Sequence, residues 1–185
     1  MPEDPATITT ILDDDATLAL IDRLVGEVGD GAPDDRPMIL VGIRRRGDVI
    51  ARRVAAGLAA RGVAVSTGSL DITLYRDDFA QVGALPQIGA SDIDADIGGA
   101  HVVIIDDVLY TGRTIRAALN ELSDFGRAAK VELCVLVDRG GRQLPIQPDY
   151  VGHALEAPVG AQVSVRVDEL DGAWGVDLVT VQTPP

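Results

Sequence analysis

Apolar residues recur along this chain in two different rhythms. Near the amino terminus they are spaced three or four apart behind an acidic run at 13–15, as in an amphipathic helix: Leu18, Ile21, Leu24, Val25 and Val28. Three other stretches, at 38–43, 102–105 and 130–137, are short, apolar and bounded by turn or charged residues, which is typical of buried strands. The segments 47–62 and 114–125 return to helical spacing.

The order of these elements predicts an α/β fold. Strands alternate with helices, and parallel neighbours need such crossovers, so we expect a central, mostly parallel sheet flanked by helices. The two later helices each present one apolar stripe to the core, formed by Ile50, Val54 and Leu58 in the first and by Ile115, Leu119 and Leu122 in the second.

The remaining segments predict smaller features. Residues 63–75 read as extended chain, and 76–99 is polar and interrupted by Gly and Pro, which predicts a flexible loop or hairpin. Short strands are expected at 150–155, 162–167 and 175–181, in a small hood region. The length suits one domain, 1–185.

The charge of the chain is strongly acidic. There are 29 acidic residues, 23 of them Asp, against 15 Arg and one Lys, for a net charge of −13. The segment 1–35 sums to −9, whereas 36–61 sums to +6. Such a surface repels nucleic acid except where the local charge is reversed. Adaptation to high salt and compositional drift in a GC-rich genome are two competing explanations for the excess of Asp.

Two absences in the sequence predict where the protein works. The apolar runs fall far short of the roughly 20 residues of a membrane helix. The first ten residues have neither the basic start nor the apolar core of a leader peptide. We therefore expect a cytoplasmic protein with no membrane contact.

Cys134 is the only cysteine of the sequence, which excludes a disulfide within one chain, and it is predicted to be a buried core thiol.

An aspartate pair follows the strand predicted at 102–105. Ligands of open α/β sheets bind beyond the carboxyl ends of strands, so Asp106 and Asp107 should face a crevice, on a backbone that has already left the strand. Thr111, Gly112 and Thr114 then present hydroxyl and N–H groups at the start of a helix, where phosphate is favoured. The pattern favours a phosphorylated sugar whose hydroxyls, or a hydrated cation, lie beside the carboxylates.

Other interpretations of this pattern exist. The plainest is a solvated Asp-Asp that precedes a Thr helix cap. An acidic receiver-type pocket is another, although the usual lysine does not follow the strand at 130–137. Neither GxxxxGK[ST] nor a GxGxxG after a strand is present, so those two kinds of nucleotide site are disfavoured.

Four segments resemble one family, in the family's order. They are "ILVGIRRRG", "DITLYRDD", "VVIIDDVLYTGRT" and "LVDRGGRQLPIQPDYVG". The third resembles the 5-phosphoribosyl pyrophosphate (PRPP) motif of type I phosphoribosyltransferases. Together they resemble the PyrR family, pyrimidine operon attenuators with uracil phosphoribosyltransferase activity. The similarity runs from about residue 11 to 181 and implies the type I phosphoribosyltransferase fold.

The resemblance implies roles for individual residues. As catalytic residues it implies Asp106 and Asp107, which would hold the ribose hydroxyls, and Arg76. Tyr75, Arg76, Asp77 and Asp78 form the start of a loop, and the resemblance implies that this loop closes over the site. The PRPP-binding set is Asp106, Asp107, Val108, Leu109, Tyr110, Thr111, Gly112, Arg113 and Thr114. The pyrophosphate-binding set is Arg44, Arg45, Arg46 and Gly47, and the base-binding set is Val137, Asp138 and Arg139.

Plainer roles compete with some of these. Arg44, Arg45 and Arg46 are also consistent with an ordinary solvated turn. Residues 75–78 could also form the tip of a hairpin, and Arg139 could form an ion pair at a strand end. No dedicated metal site is implied, because the Mg²⁺ cofactor would be carried mainly by PRPP near Asp106 and Asp107. His101 and His153 are predicted to be structural.

The resemblance also implies partners. These are PRPP, uracil, UMP or UTP, a homo-oligomer of two or more subunits, and an RNA hairpin of a pyrimidine leader bound with UMP or UTP. Gly141, Gln147 and His153 are neutral where RNA-binding relatives tend to be basic, which argues against RNA binding. Three functions therefore compete: a uracil phosphoribosyltransferase, an RNA-binding attenuator with little catalysis, and a purine or orotate phosphoribosyltransferase. "DITLYRDD" and "LVDRGGRQLPI" argue against the third.

Overall fold

The computed structural model describes residues 6–72 and 91–181. Within these ranges the strands are β1 (Ala6–Leu12), β2 (Met38–Ile43), β3 (Val65–Leu70), β4 (His101–Leu109), β5 (Lys130–Asp138), β6 (Tyr150–Ala154), β7 (Gln162–Arg166) and β8 (Gly175–Val181). The helices are α1 (Asp14–Asp30), α2 (Arg46–Ala60), α3 (Arg113–Leu122), continued by a 3₁₀ turn (Ser123–Phe125), and α4 (Asp168–Asp171). None of these helices combines the length and the apolar character needed to cross a membrane.

Two sheets organise the fold. The larger has the strand order β3-β2-β4-β5-β6, and all of its neighbours are parallel. The smaller is antiparallel, with the order β1-β8-β7. Helices α2 and α3 connect parallel strands, as the sequence predicts, so the mostly parallel α/β architecture is confirmed.

The parallel sheet separates two apolar layers. Leu40, Ile105 and Leu136 pack on the side of α1 and α2, whereas their neighbours Val41, Ile104 and Val135 pack on the side of α3. The predicted stripe of α2, Ile50, Val54 and Leu58, is fully buried. The prediction that Leu119 faces the core is wrong, because Leu119 is 40% exposed. Ala118 takes the inward position of α3 instead, three residues after Ile115 and four before Leu122.

Three strand assignments differ from the prediction. β1 is not predicted from the pattern, and it enters the small sheet by pairing with β8 from the far end of the chain. β6, predicted for the hood, is the edge strand of the parallel sheet. β4 does not end at Ile105 but continues to Leu109, because β5 extends beside it as far as Asp138. The small sheet therefore consists of β1, β7 and β8.

Candidate active site

The carboxyl ends of β2, β3, β4 and β5 lie along one edge of the parallel sheet. Parallel strands bring their ends together, so this edge collects the Arg run after Ile43, the aspartate pair in β4, and Asp138 with Arg139. Backbone hydrogen bonds join these ends: Arg44 N–H donates to Leu70 O at 2.9 Å, and Arg139 N–H donates to Leu109 O at 3.1 Å.

The aspartate pair lies inside β4, which corrects the expectation that the strand has already ended there. The ladder between β2 and β4 stops at Gly42 and Ile105, whereas the ladder between β4 and β5 runs on to Leu109 but skips Asp107. From Asp106 onward β4 therefore no longer pairs with β2, and the start of α2 approaches this side of the strand instead. Asp106 is only 2% exposed, and its Oδ1 accepts the Asp107 N–H at 3.0 Å.

The turn after β4 leads directly into α3. Gly112 occupies the N-cap position with φ 91°, a left-handed conformation that favours glycine. Thr111 is buried, and its hydroxyl oxygen accepts the Arg113 N–H at 3.3 Å. The first turn of α3 contains no acidic residue, so the positive end of the helix dipole is not offset there. Leu109 is buried in the core, which leaves its backbone for any ligand contact.

The start of α2 rests on the aspartate pair. A Cβ added to Gly47 would lie 2.5 Å from the Ile105 carbonyl oxygen and 3.2 Å from Asp106 Cα. A Cβ added to Gly42 would lie 2.6 Å from the Asp48 nitrogen. Both approaches require glycine, because real Cβ atoms do not come this close to backbone. The Arg44–Arg45 peptide bond in this turn is cis.

The three arginines of this turn have different surroundings. Arg44 donates through Nε to Ser69 Oγ at 3.0 Å. Arg45 is exposed. Arg46 donates through Nη2 to the Asp171 carboxylate at 3.1 Å, while its Nε is buried and has no acceptor among the described residues. The turn is therefore not simply a solvated run of like charges.

The end of β5 combines an ion pair with a stacked guanidinium. Burial alone would raise the pKa of Asp138, but the Arg142 guanidinium at 2.6 Å and the Gly140 N–H at 3.0 Å lower this pKa below its ordinary value. The Arg139 guanidinium carbon lies 4.0 Å from the centre of the Tyr110 ring. The Val137 side chain is fully buried in the core.

Arg142 is a site residue that sequence reasoning missed. Besides Asp138, it donates through Nη1 to the Tyr110 carbonyl oxygen at 3.0 Å and through Nε to the Ile146 carbonyl oxygen at 2.9 Å. One side chain thus joins the end of β5, the turn after β4 and the loop that follows β5. The available signal was an arginine four residues after Asp138 in a Gly-rich loop.

The two aspartates offer the chemistry that Mg²⁺ prefers. Mg²⁺ binds oxygen ligands and commonly uses one or two carboxylates together with substrate phosphates. Among the described residues no group of three or more His, Cys, Asp or Glu side chains forms a metal site. Because neighbouring side chains of a strand point to opposite faces, one of these two carboxylates at a time fits a Mg²⁺ ion that takes its other ligands from a phosphorylated substrate. The loop residues Tyr75, Arg76, Asp77 and Asp78 lie outside the described residues.

Comparison with known proteins identifies relatives along nearly the whole chain. Residues 7–169 match the phosphoribosyl transferase domain. "Bifunctional protein PyrR" of Roseiflexus sp. (strain RS-1) is 49% identical over 172 residues, covering 92% of this chain and 93% of that protein. The protein of the same name from Akkermansia muciniphila is 45% identical over 168 residues, covering 91% and 94%. A hypoxanthine phosphoribosyltransferase structure from Trypanosoma cruzi has a TM-score of 0.68 at 20% identity and covers 94% of each chain, which shows the shared fold.

Proposed function

Because this chain belongs to the phosphoribosyltransferase family, and within it to the PyrR proteins, we propose that it converts uracil and PRPP to UMP and pyrophosphate. The bond between ribose C1 and the pyrophosphate oxygen breaks, a bond from C1 to N1 of uracil forms, and the N1 proton is released to the departing pyrophosphate or to solvent. The ribose passes through an oxocarbenium-like state that carries positive charge. Since PRPP is highly charged and does not cross a bilayer unaided, we expect the reaction in the cytoplasm.

The contact of Gly47 with β4 at Ile105 and Asp106 is the observation that best supports this proposal. It brings the start of α2 and the arginine turn at 44–46 against the strand segment that holds Asp106 and Asp107. A substrate with a sugar on the aspartates and a diphosphate on the arginines fits this juxtaposition. Arginine is well suited to the diphosphate, because its planar fork donates two hydrogen bonds at once.

The ribose phosphate end of PRPP would occupy the turn between β4 and α3. We propose that Thr111, Gly112, Arg113 and Thr114 donate N–H and hydroxyl groups to the 5-phosphate, where the dipole of α3 favours an anion. The carboxylates of Asp106 and Asp107 would accept hydrogen bonds from the ribose hydroxyls. Bound beside them, Mg²⁺ would neutralise charge on the pyrophosphate leaving group.

Uracil would bind at the end of β5. We propose that backbone groups around Val137, Asp138 and Arg139 read the edge of the base, since the Val137 side chain is in the core. Positioning and charge stabilisation would supply the rate, and no covalent nucleophile is required. Arg76, from the loop outside the described residues, is proposed to contact the pyrophosphate when that loop closes.

The direct test is UMP formation from uracil and PRPP with Mg²⁺, with hypoxanthine and orotate as alternative bases. We expect UMP and no nucleotide from the other two bases. Formation of IMP or OMP in place of UMP would assign the chain to another base, and PRPP binding without any product would leave only a regulatory role.

The resemblance also implies an RNA hairpin, and we propose that this chain binds RNA weakly. Gly141 and Gln147 are exposed and neutral, Arg23 is occupied by Glu27 and by the Val151 carbonyl oxygen, and Arg142 is used internally. Binding to a leader hairpin should be measured with UMP present across a KCl series. Tight binding that falls steeply with salt would contradict this proposal, because such a slope reports many phosphate contacts.

The assembly is expected to be a homo-oligomer, as the resemblance implies. Light scattering on the full chain, with and without PRPP, would measure its mass. A monomer at micromolar concentration would overturn this expectation.

A further inference from the structure

Helix α4 of the hood is joined to α2 by two ion pairs. The Asp171 carboxylate oxygens lie 3.1 and 3.3 Å from Arg46 Nη2, and Glu169 Oε2 lies 2.6 Å from Arg52 Nη2. Arg46 is the first residue of α2, at the turn proposed to bind pyrophosphate. Arg52 lies six residues further on, about 9 Å along the helix axis. Two of the three acidic residues of α4 therefore contact α2, at different distances from the site.

The pair at Asp171 is the more sheltered of the two. The side chains of Arg46 and Asp171 are 34% and 23% exposed, compared with 49% and 54% for Arg52 and Glu169. The Asp171 carboxylate is also held by the backbone of its own helix end, because its Oδ2 accepts the Val167 N–H at 2.9 Å. A carboxylate held in this way restricts the guanidinium that it binds, whereas an exposed pair is screened by solvent.

One buried donor of Arg46, its Nε, has no acceptor within the described ranges, 6–72 and 91–181. A buried donor without an acceptor is destabilising, so such an atom is expected to meet a partner when the site is filled. Asp171 engages Nη2 and leaves Nε for that partner. Next along the chain, Gly47 contacts the β4 segment of the aspartate pair, so the partner belongs to the same crevice.

We propose that Asp171 is a positioning residue for the pyrophosphate group: by holding Nη2 of Arg46, it directs Nε of Arg46 toward an oxygen of the diphosphate of PRPP. Asp171 itself does not touch the ligand. The inference rests on the proposed transferase function and deepens it by giving the hood a role in donor binding.

The test compares Asp171→Asn with Glu169→Gln in the full-length protein. Both variants remove one negative charge from α4, so the second is a matched control for long-range charge. The amide oxygen of Asn still accepts the Val167 N–H, which preserves the local backbone. We expect Asp171→Asn to raise the Kd for inorganic pyrophosphate with Mg²⁺, and the KM for PRPP, about tenfold. The KM for uracil and the Kd for UMP should stay within twofold, and Glu169→Gln should leave all four constants within twofold.

A double variant separates positioning from general destabilisation. In an Arg46→Gln background the guanidinium is already absent, so adding Asp171→Asn should cause no further loss of pyrophosphate affinity. Additive losses would overturn the inference. Equal effects of Asp171→Asn and Glu169→Gln would also overturn it, as would tighter pyrophosphate binding by Asp171→Asn or an equal loss of UMP binding.

A failure of the proposed transferase function would give a different experimental result from a failure of the role proposed for Asp171. A wild-type protein that neither binds pyrophosphate with Mg²⁺ nor forms UMP would overturn the proposed function and this inference together. An active wild-type protein in which the two variants behave alike would overturn only the role of Asp171.

Discussion

At the scale of single residues, the two adjacent aspartates of β4 are in different environments. Asp106 is buried and accepts the next backbone N–H, whereas Asp107 is half-buried and its carboxylate makes no hydrogen bond within the described ranges. The neighbours differ because side chains alternate across a strand, and the ladder with β5 skips Asp107. Asp107 is therefore the carboxylate that is more available to substrate.

Asp107→Asn should lower kcat/KM for UMP formation by about 10² to 10³ with little change in stability, because it removes a charge that we propose faces the developing positive ribose. Asp124→Asn is the matched control, since Asp124 is exposed in the 3₁₀ turn after α3. Steady-state kinetics and urea denaturation measure the two effects. Unchanged turnover would remove Asp107 from the mechanism.

Arg142→Gln should weaken uracil binding and destabilise the fold by about 2–4 kcal/mol, because it breaks a half-buried ion pair and two bonds to carbonyl oxygens. Without the guanidinium, burial of Asp138 would raise its pKa toward or above the ordinary value. The uracil KM and urea unfolding are the measurements, with exposed Arg127→Gln as the control. Equal results for the two arginines would show that Arg142 does not organise the site.

At the scale of elements, the junction between β2 and α2 depends on close backbone approach. Gly47→Ala should reduce transferase activity at least tenfold and cost about 1–3 kcal/mol of stability, since its Cβ would overlap the Ile105 carbonyl oxygen. Gly26→Ala in α1 is the control, where the added methyl meets only the flexible tip of Arg61 and Ala favours the helix. Kinetics and thermal melts of both variants test the contrast. A fully active Gly47→Ala protein would contradict the geometry proposed for the pyrophosphate turn.

A buried polar cluster ties together the amino ends of β4, β5 and β6, at the edge opposite the candidate site. Glu132 accepts hydrogen bonds from Lys130 and from Tyr150 at 3.0 Å, and it lies 2.6 Å from His101 Nε2. Burial alone would raise the pKa of Glu132, but the bonds from Lys130, His101 and Tyr150 lower this pKa below its usual value. The ionised carboxylate is therefore the form that stabilises the sheet.

The pH dependence of stability follows from this direction. A carboxyl group whose pKa is lower in the folded state stabilises the fold above its unfolded pKa of about 4.3 and loses that contribution as the pH falls through the folded pKa. Glu132→Gln should cost about 2 kcal/mol at pH 7, and the difference from wild type should shrink below about pH 4. Urea unfolding from pH 7 to pH 3.5 measures it, with exposed Glu156→Gln as the control. A difference that is constant with pH would refute the linkage.

At the scale of the whole molecule, a net charge of −13 means that the folded chain repels itself. Raising KCl from 0.05 to 1 M shortens the range of that repulsion from above 10 Å to about 3 Å, so the free energy of unfolding should rise by on the order of 1 kcal/mol. Urea unfolding at each salt concentration tests this. Near the sequence pI of about 4.4 the salt effect should disappear, and a persistent effect would point to a cause other than charge.

The sequence by itself determined the elements whose signals are local. An apolar run of six residues between turn signals specifies β2, and the spacing of Ile50, Val54 and Leu58 specifies the buried face of α2. Helical spacing also predicts α3, which was expected from residue 114 and begins at Arg113. The motif segments identified the family resemblance from sequence alone, because each motif is contiguous in the chain.

Only the tertiary structure decided features that depend on distant partners. β1 is mostly exposed, and its apolar residues do not alternate regularly enough to predict a strand. It forms a strand because β8 supplies its hydrogen bonds. β4 extends past the aspartates because β5 is long enough to pair with it. Arg142 and Asp171 belong to the site through bonds to carbonyl oxygens and a guanidinium brought near by folding. Local patterns encode which backbone forms and which face is buried, whereas the partner of a polar side chain is fixed only when the whole chain is packed.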